Sequence, residues 1–105
     1  MRTKMLTTRD IEKQYGPLTF ANLLKAHREG EEFTQVEMAK KLGLSKQALN
    51  DMENGRKIPS IKRVIGIAKK MGLVPELAVE LVLQDLLSRE KLKMVVKVSS
   101  EKSAA

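Results

Sequence analysis

Residues 35–52, QVEMAKKLGLSKQALNDM, decide how this chain is to be read. Thr34 just ahead of them and Glu37 form a Thr-x-x-Glu capping box, which starts a helix. Val36, Ala39 and Leu42 mark its expected inward stripe, and Gly43 stops it, since the left-handed residue that ends a helix costs least as glycine. Only Leu44 intervenes before Ser45 caps a second helix, running from Lys46 to about Asn54 with Ala48, Leu49 and Met52 inward and Gly55 after it. The small Ala39 lets the two backbones approach, while Met38, Leu42, Leu44, Leu49 and Met52 fill the junction. Two short helices joined by a tight turn result.

The same punctuation continues on both sides. Upstream, Thr7 and Thr8 with Asp10 predict a short capped helix through Gln14, stopped by Gly16-Pro17. Thr19 then opens a helix with Phe20, Leu23, Leu24 and His27 on one face, and Gly30 is the expected left-handed residue at its end. Downstream, Ser60 caps a helix with Ile61, Val64, Ile65, Ala68 and Met71 inward, ending at Gly72. Pro75 suits the first turn of another helix, reaching about Arg89. The expected fold is all-α, with a possible short C-terminal β-strand. Leu92, Met94, Val96 and Val98 alternate with Lys91, Lys93, Val95 and Lys97, the period of a half-buried strand that must find a partner in a second copy or a foreign sheet edge, or else lie on the preceding helix.

Composition narrows the function. The chain has 105 residues, 42% hydrophobic and 31% charged, which suits one compact domain. Twenty Lys and Arg against thirteen Asp and Glu leave a net charge of +7, which favours a polyanionic partner. With no cysteine, thiolate nucleophiles, disulfides and Cys-ligated metal sites are excluded. His27 is the single histidine, so neither a His-rich metal site nor a His pair can be built, and no cofactor, metal site or catalytic activity is expected. No apolar run of about 18 residues could cross a bilayer, and no apolar core of a secretory signal follows residues 1–9; the expected location is the cytoplasm, with no membrane partner.

At residues 33–73, FTQVEMAKKLGLSKQALNDMENGRKIPSIKRVIGIAKKMGL, the chain resembles the Xre class of helix-turn-helix regulators, which includes the Cro and lambda-repressor type proteins. The Thr-Gln opening, the Ala-x-x-x-Gly-Leu-Ser turn, Glu53-Asn54-Gly55 followed by basic residues, and Pro59-Ser60 match the family pattern in order. The likeness covers about residues 19–73. It implies a five-helix lambda-repressor-like domain, here preceded by the short N-terminal helix, that binds double-stranded DNA, is usually dimeric, and places the helix over residues 46–54 in the major groove. Regions 1–17 and 74–105 lie outside the shared pattern.

On that helix Lys46, Gln47, Asn50 and Asp51 face outward. Gln47 and Asn50 are the expected base readers, because Gln and Asn pair with adenine in a bidentate way; Lys46 suits a guanine or a phosphate. Asp51 either accepts from a cytosine amine or is a surface carboxylate offsetting Lys46 or Arg56. Gln35 sits at a helix start next to the Thr34 cap, where backbone donors favour a phosphate, and Ser45 occupies the equivalent cap of the second helix. Arg56 and Lys57 follow in the loop from which similar proteins hold the DNA backbone. The tri-glutamate cluster Glu29, Glu31 and Glu32 reads as solvated loop charge, and the six methionines as core filler.

The final helix departs from the DNA theme. Eight of the eleven residues at 77–87 are apolar, more than one packed stripe can use, so a second chain is expected to cover the surplus. Residues 58–72 carry Lys62, Arg63, Lys69 and Lys70 with no acid, whereas 73–90 carry Arg89 against Glu76, Glu80, Asp85 and Glu90. The expected dimer or partner surface is therefore Leu83, Leu86, Leu87, Leu92, Met94 and Val96. The chain divides accordingly into an N-terminal extension (1–17), a DNA-binding domain (18–73), a dimerisation or partner region (74–98) and a disordered tail (99–105). The leading functional expectation is a homodimeric repressor on a pseudo-palindromic operator. A second is an antitoxin that binds a toxin protein and represses its own operon, and a third is a binder of DNA with little sequence preference.

Overall fold

The computed structural model describes residues 8–101, which form six helices and no strand: α1 (Thr8–Tyr15), α2 (Phe20–Gly30), α3 (Gln35–Leu42), α4 (Lys46–Glu53), α5 (Ile61–Met71) and α6 (Pro75–Arg89). Thr7, expected to share in capping the first helix, lies outside the described residues, as do residues 102–105 of the tail. The chain divides into two compact units, the first ending at Pro59 and the second beginning at Ser60.

In the first unit α1 packs on α2, α2 on α4, and α3 on α4. Leu24, Met38 and Leu49 are fully buried at its centre, with Phe20, Leu23, Ala26, Ala39, Leu42 and Met52 also buried, and α1 adds Ile11. Helix starts carry the expected caps: Thr19 Oγ1 accepts from Asn22 N at 3.1 Å and Ser45 Oγ from Ala48 N at 3.0 Å. Asn22 ties α1 to α2, donating through Nδ2 to the carbonyls of Tyr15 at 3.1 Å and Pro17 at 2.7 Å. Beside it the Tyr15 hydroxyl donates to Glu29 Oε1 at 2.6 Å, and burial, then this bond, push the phenol up to about 12.

Two inward assignments and one helix end in this unit change. Val36 is 58% exposed and Met38 takes its place in the core, because the stripe of α3 is Met38, Ala39 and Leu42. Residues two positions apart on a helix lie about 200° apart around its axis, so Val36 faces away once Met38 faces in. Ala26 is buried in α2, while His27 is only half-buried; that burial, against the opposing charge of Glu31 and with a smaller push from Lys41, disfavours its imidazolium. Gly30 stays within α2, and the left-handed position beyond it is taken by Glu32 at φ 59°, with Phe33 N bonded to Arg28 O at 3.1 Å.

The second unit pairs α5 with α6 around Val64, Ile67, Ala68 and Met71 from one helix and Ala78, Leu81 and Val82 from the other. Ile61, expected inward, is exposed in the first turn of α5; Ile65 is half-buried and Ile67 carries the contact instead. On α6 Leu77, Val79, Leu83 and Leu87 are half-buried and Leu86 is exposed, so the apolar surplus seen in the sequence remains a surface. Among the described residues no helix is long and apolar enough to cross a membrane.

The strand expected from residue 92 does not form. Lys91 turns the chain at φ 60°, Leu92 N bonds Leu87 O at 2.9 Å, and the following segment runs back along α6. The Gln84 amide donates to Met94 O at 2.7 Å and accepts from Val96 N at 2.9 Å; Glu80 Oε1 accepts from Val98 N at 2.9 Å. A solitary strand has no ladder to join, and these helix side chains satisfy backbone groups that a neighbouring strand would otherwise take.

Candidate nucleic-acid interface

The turn between α3 and α4 follows from four local bonds. Thr34 Oγ1 accepts from Glu37 N at 3.1 Å and Glu37 Oε1 accepts from Thr34 N at 2.8 Å, completing the capping box. At the other end Gly43 adopts φ 71°, its N–H bonds Lys40 O at 3.2 Å, and Leu44 N bonds Ala39 O at 2.8 Å. Ser45 then caps α4, so its hydroxyl is already engaged. The capped start of α4 projects Lys46 and Gln47 into solvent, and Asn50 and Asp51 follow, half-buried, one turn later.

Beneath this row lies an ion pair that sequence reasoning missed. The Glu53 side chain is 2% exposed and that of Arg28 12%. Arg28 donates from Nε to Glu53 Oε2 at 2.7 Å and from Nη2 to Oε1 at 3.1 Å, and its Nη1 reaches Phe33 O at 2.9 Å. The paired carboxylate first, against the cost of burial, raises the Arg28 pKa still further. A signal was present in the sequence: Glu53 follows Met52 and lies four residues after Leu49, on the inward side of α4, where a carboxylate requires a buried cation.

From Glu53 a chain of hydrogen bonds runs outward. Glu53 Oε1 accepts from Gln35 Nε2 at 3.0 Å, Gln35 Oε1 accepts from Asn50 Nδ2 at 3.3 Å, and Asn50 Oδ1 accepts from Arg56 Nη2. Arg56 Nε also donates to Asp51 Oδ1 at 3.0 Å, as does Gln47 Nε2 at 3.0 Å. The Arg56 bond, aided by that of Gln47, holds the Asp51 carboxyl below the usual carboxylate range. Six polar side chains of α3, α4 and the loop after it thus form one connected network, running from buried Glu53 to exposed Gln47 and Arg56, with Gln35 at the first residue of α3. Lys46 and Lys57 stand outside this network, exposed and without a salt bridge among the described residues.

Every predicted DNA-binding residue falls on this unit. Gln35, Gln47, Asn50, Asp51 and Arg56 come together in the network, while Ser45, Lys46 and Lys57 border it. Asp51 occupies the position of a carboxylate offsetting Arg56, and its Oδ1 is taken by two donors. No group of three or more His, Cys, Asp or Glu side chains among the described residues is placed to hold a metal ion.

Two capped helices about a left-handed glycine, with an outward polar row on the second, define a helix-turn-helix domain. The chain belongs to the helix-turn-helix family HTH_3, whose pattern it matches over residues 24–77. It is 42% identical over 52 residues to an uncharacterized HTH-type transcriptional regulator of Methanocaldococcus jannaschii, covering 50% of this chain and 79% of that protein. It is also 48% identical over 46 residues to the ImmF control region 10 kDa protein of Bacillus phage phi105, 44% of this chain and 51% of that one, so it spans about half the length of this relative. The crystal structure of an HTH_3 family transcriptional regulator from Vibrio cholerae superimposes with a TM-score of 0.51 at 30% identity, over 68% of this chain and 39% of that one. The family is one of non-enzymatic DNA-binding transcriptional regulators.

Proposed function

We propose that this protein is a sequence-specific repressor that binds a pseudo-palindromic operator as a homodimer, with α4 in the major groove. The observation that carries the reading is the outward row on α4, in which Gln47 and Asn50 have the donor–acceptor pattern that reads adenine. In the free protein these amides are bonded to Asp51, Gln35 and Arg56, which fixes their orientation before DNA arrives. Lys46, Arg56 and Lys57 supply charge for phosphates, and Gln35 lies at the amide-rich start of α3, where an anion is favoured. The exposed and half-buried leucines of α6 are the surface assigned to the second copy. A relative named for a phage control region supports a regulatory role.

Fluorescence anisotropy with the fragment upstream of its own gene and with random DNA, at physiological salt, tests the reading. The expected result is a preference of about a thousandfold or more for the upstream fragment. Equal affinity for both, falling steeply with salt, would assign the protein to phosphate binding without base reading.

A further inference from the structure

The segment after α6 is held along one edge only. Met94 O, Val96 N–H and Val98 N–H all turn toward α6, the first two onto the Gln84 amide and the third onto Glu80 Oε1. Backbone groups of alternate residues on one side are the signature of an extended chain, and the Gln84 amide brackets Val95 as a residue of a parallel strand would. The groups of Val95 and Lys97 therefore point to the opposite edge, where no hydrogen bond from the described residues engages them, and Val95 is 83% exposed. An open groove of about 510 Å³ lies where the start of this segment meets α6, lined by Gln84 and Ser88 of the helix and by Leu92, Met94 and Val95. An extended segment already fixed by a helix has lost the freedom that usually opposes strand pairing.

The charge on this edge selects its occupant. Lys93, Val95 and Lys97 share one face of the extended chain, and Lys91 precedes them. Antiparallel pairing with a second copy, centred on Val95, sets Lys93 opposite the other Lys97 twice over; of the registers shifted by two residues, one sets Lys91 opposite Lys97 and the other gives up the central apolar pair, setting Val95 against Lys97 and Lys93 against Ser99. Like charges directly opposite each other disfavour pairing, whereas opposite charges favour it. We infer that the free edge of residues 93–97 is a docking site for an extended strand of a different protein, one with acidic side chains two residues either side of an apolar one. This role is separate from DNA reading and does not depend on it.

The test uses the full chain, labelled with nitrogen-15, and two capped peptides, Thr-Glu-Thr-Val-Thr-Glu-Thr and its counterpart with lysine in place of glutamate. The glutamate peptide is expected to shift the amides of Val95 and Lys97 and slow their hydrogen exchange, with the lysine peptide weaker by about tenfold or more. Val95→Pro removes the outward N–H, leaves the Gln84 bonds to Met94 and Val96 in place, and should weaken the glutamate peptide about tenfold while DNA binding is unchanged. The inference is overturned if the glutamate peptide leaves Val95 and Lys97 unmoved, if both peptides bind alike, or if Val95→Pro binds as well as the parent. It is also overturned if those two amides shift with protein concentration alone, which would give the edge to a second copy.

Discussion

At Glu53 the side chain has two tasks, neutralising Arg28 within the first unit and setting the orientation of Gln35 at its edge. Removing the carboxylate leaves a guanidinium 12% exposed whose remaining counter-charge is the more exposed Glu29 carboxylate, 3.6 Å away. Glu53→Ala should therefore destabilise the fold by about 3 to 5 kcal/mol in urea unfolding, the cost of breaking a buried pair from one side. A loss below about 1 kcal/mol would show that Arg28 finds water or another acceptor instead. The candidate site was legible in the sequence where a residue's role depends on its own helix: Gln47 and Asn50 face outward because Leu49 and Met52 face inward. The network joining them was not, because Gln35 to Asn50 and Arg28 to Glu53 are contacts across the turn that no periodicity records.

Helix starts and stops were largely written in the chain, since caps and terminal glycines act through bonds to residues three or four away. Thr34, Ser45 and Ser60 cap as expected, and Gly43 and Gly72 take the left-handed ends. Glu32 and Lys91 take such positions without glycine, so the sequence held no signal for them. The tail misled for a related reason: its alternation is real, but the partner along its inner edge is a helix side chain, Gln84, rather than a strand. Gly66 shows the opposite case, a glycine inside α5 that no turn requires. A Cβ built there meets nothing within 4 Å. Gly66→Ala is accordingly expected to raise stability by about 0.5 to 1 kcal/mol, read as a higher urea midpoint with an unchanged slope. A lower midpoint would mean that the position is closed by something the isolated chain lacks.

At the scale of the molecule, the first unit holds the polar network and the second holds the apolar surplus of α6. On the proposed reading, DNA falls to the first and protein contacts to the second. Leu83→Glu and Leu87→Glu place a charge on the half-buried side of α6, and each should convert a dimer to a monomer in sedimentation. Variants that sediment as the parent does would move the dimer contact elsewhere. Selection of binding sites from a random DNA library, with the parent protein and with Gln47→Ala and Asn50→Ala, is the decisive measurement for base reading by α4. The parent should enrich a two-fold symmetric site with half-sites about 10 base pairs apart, and each variant should lose preference at one position per half-site, by about 1 to 3 kcal/mol. Failure to enrich any site, or the same site with undiminished preference from both variants, would contradict base reading by α4.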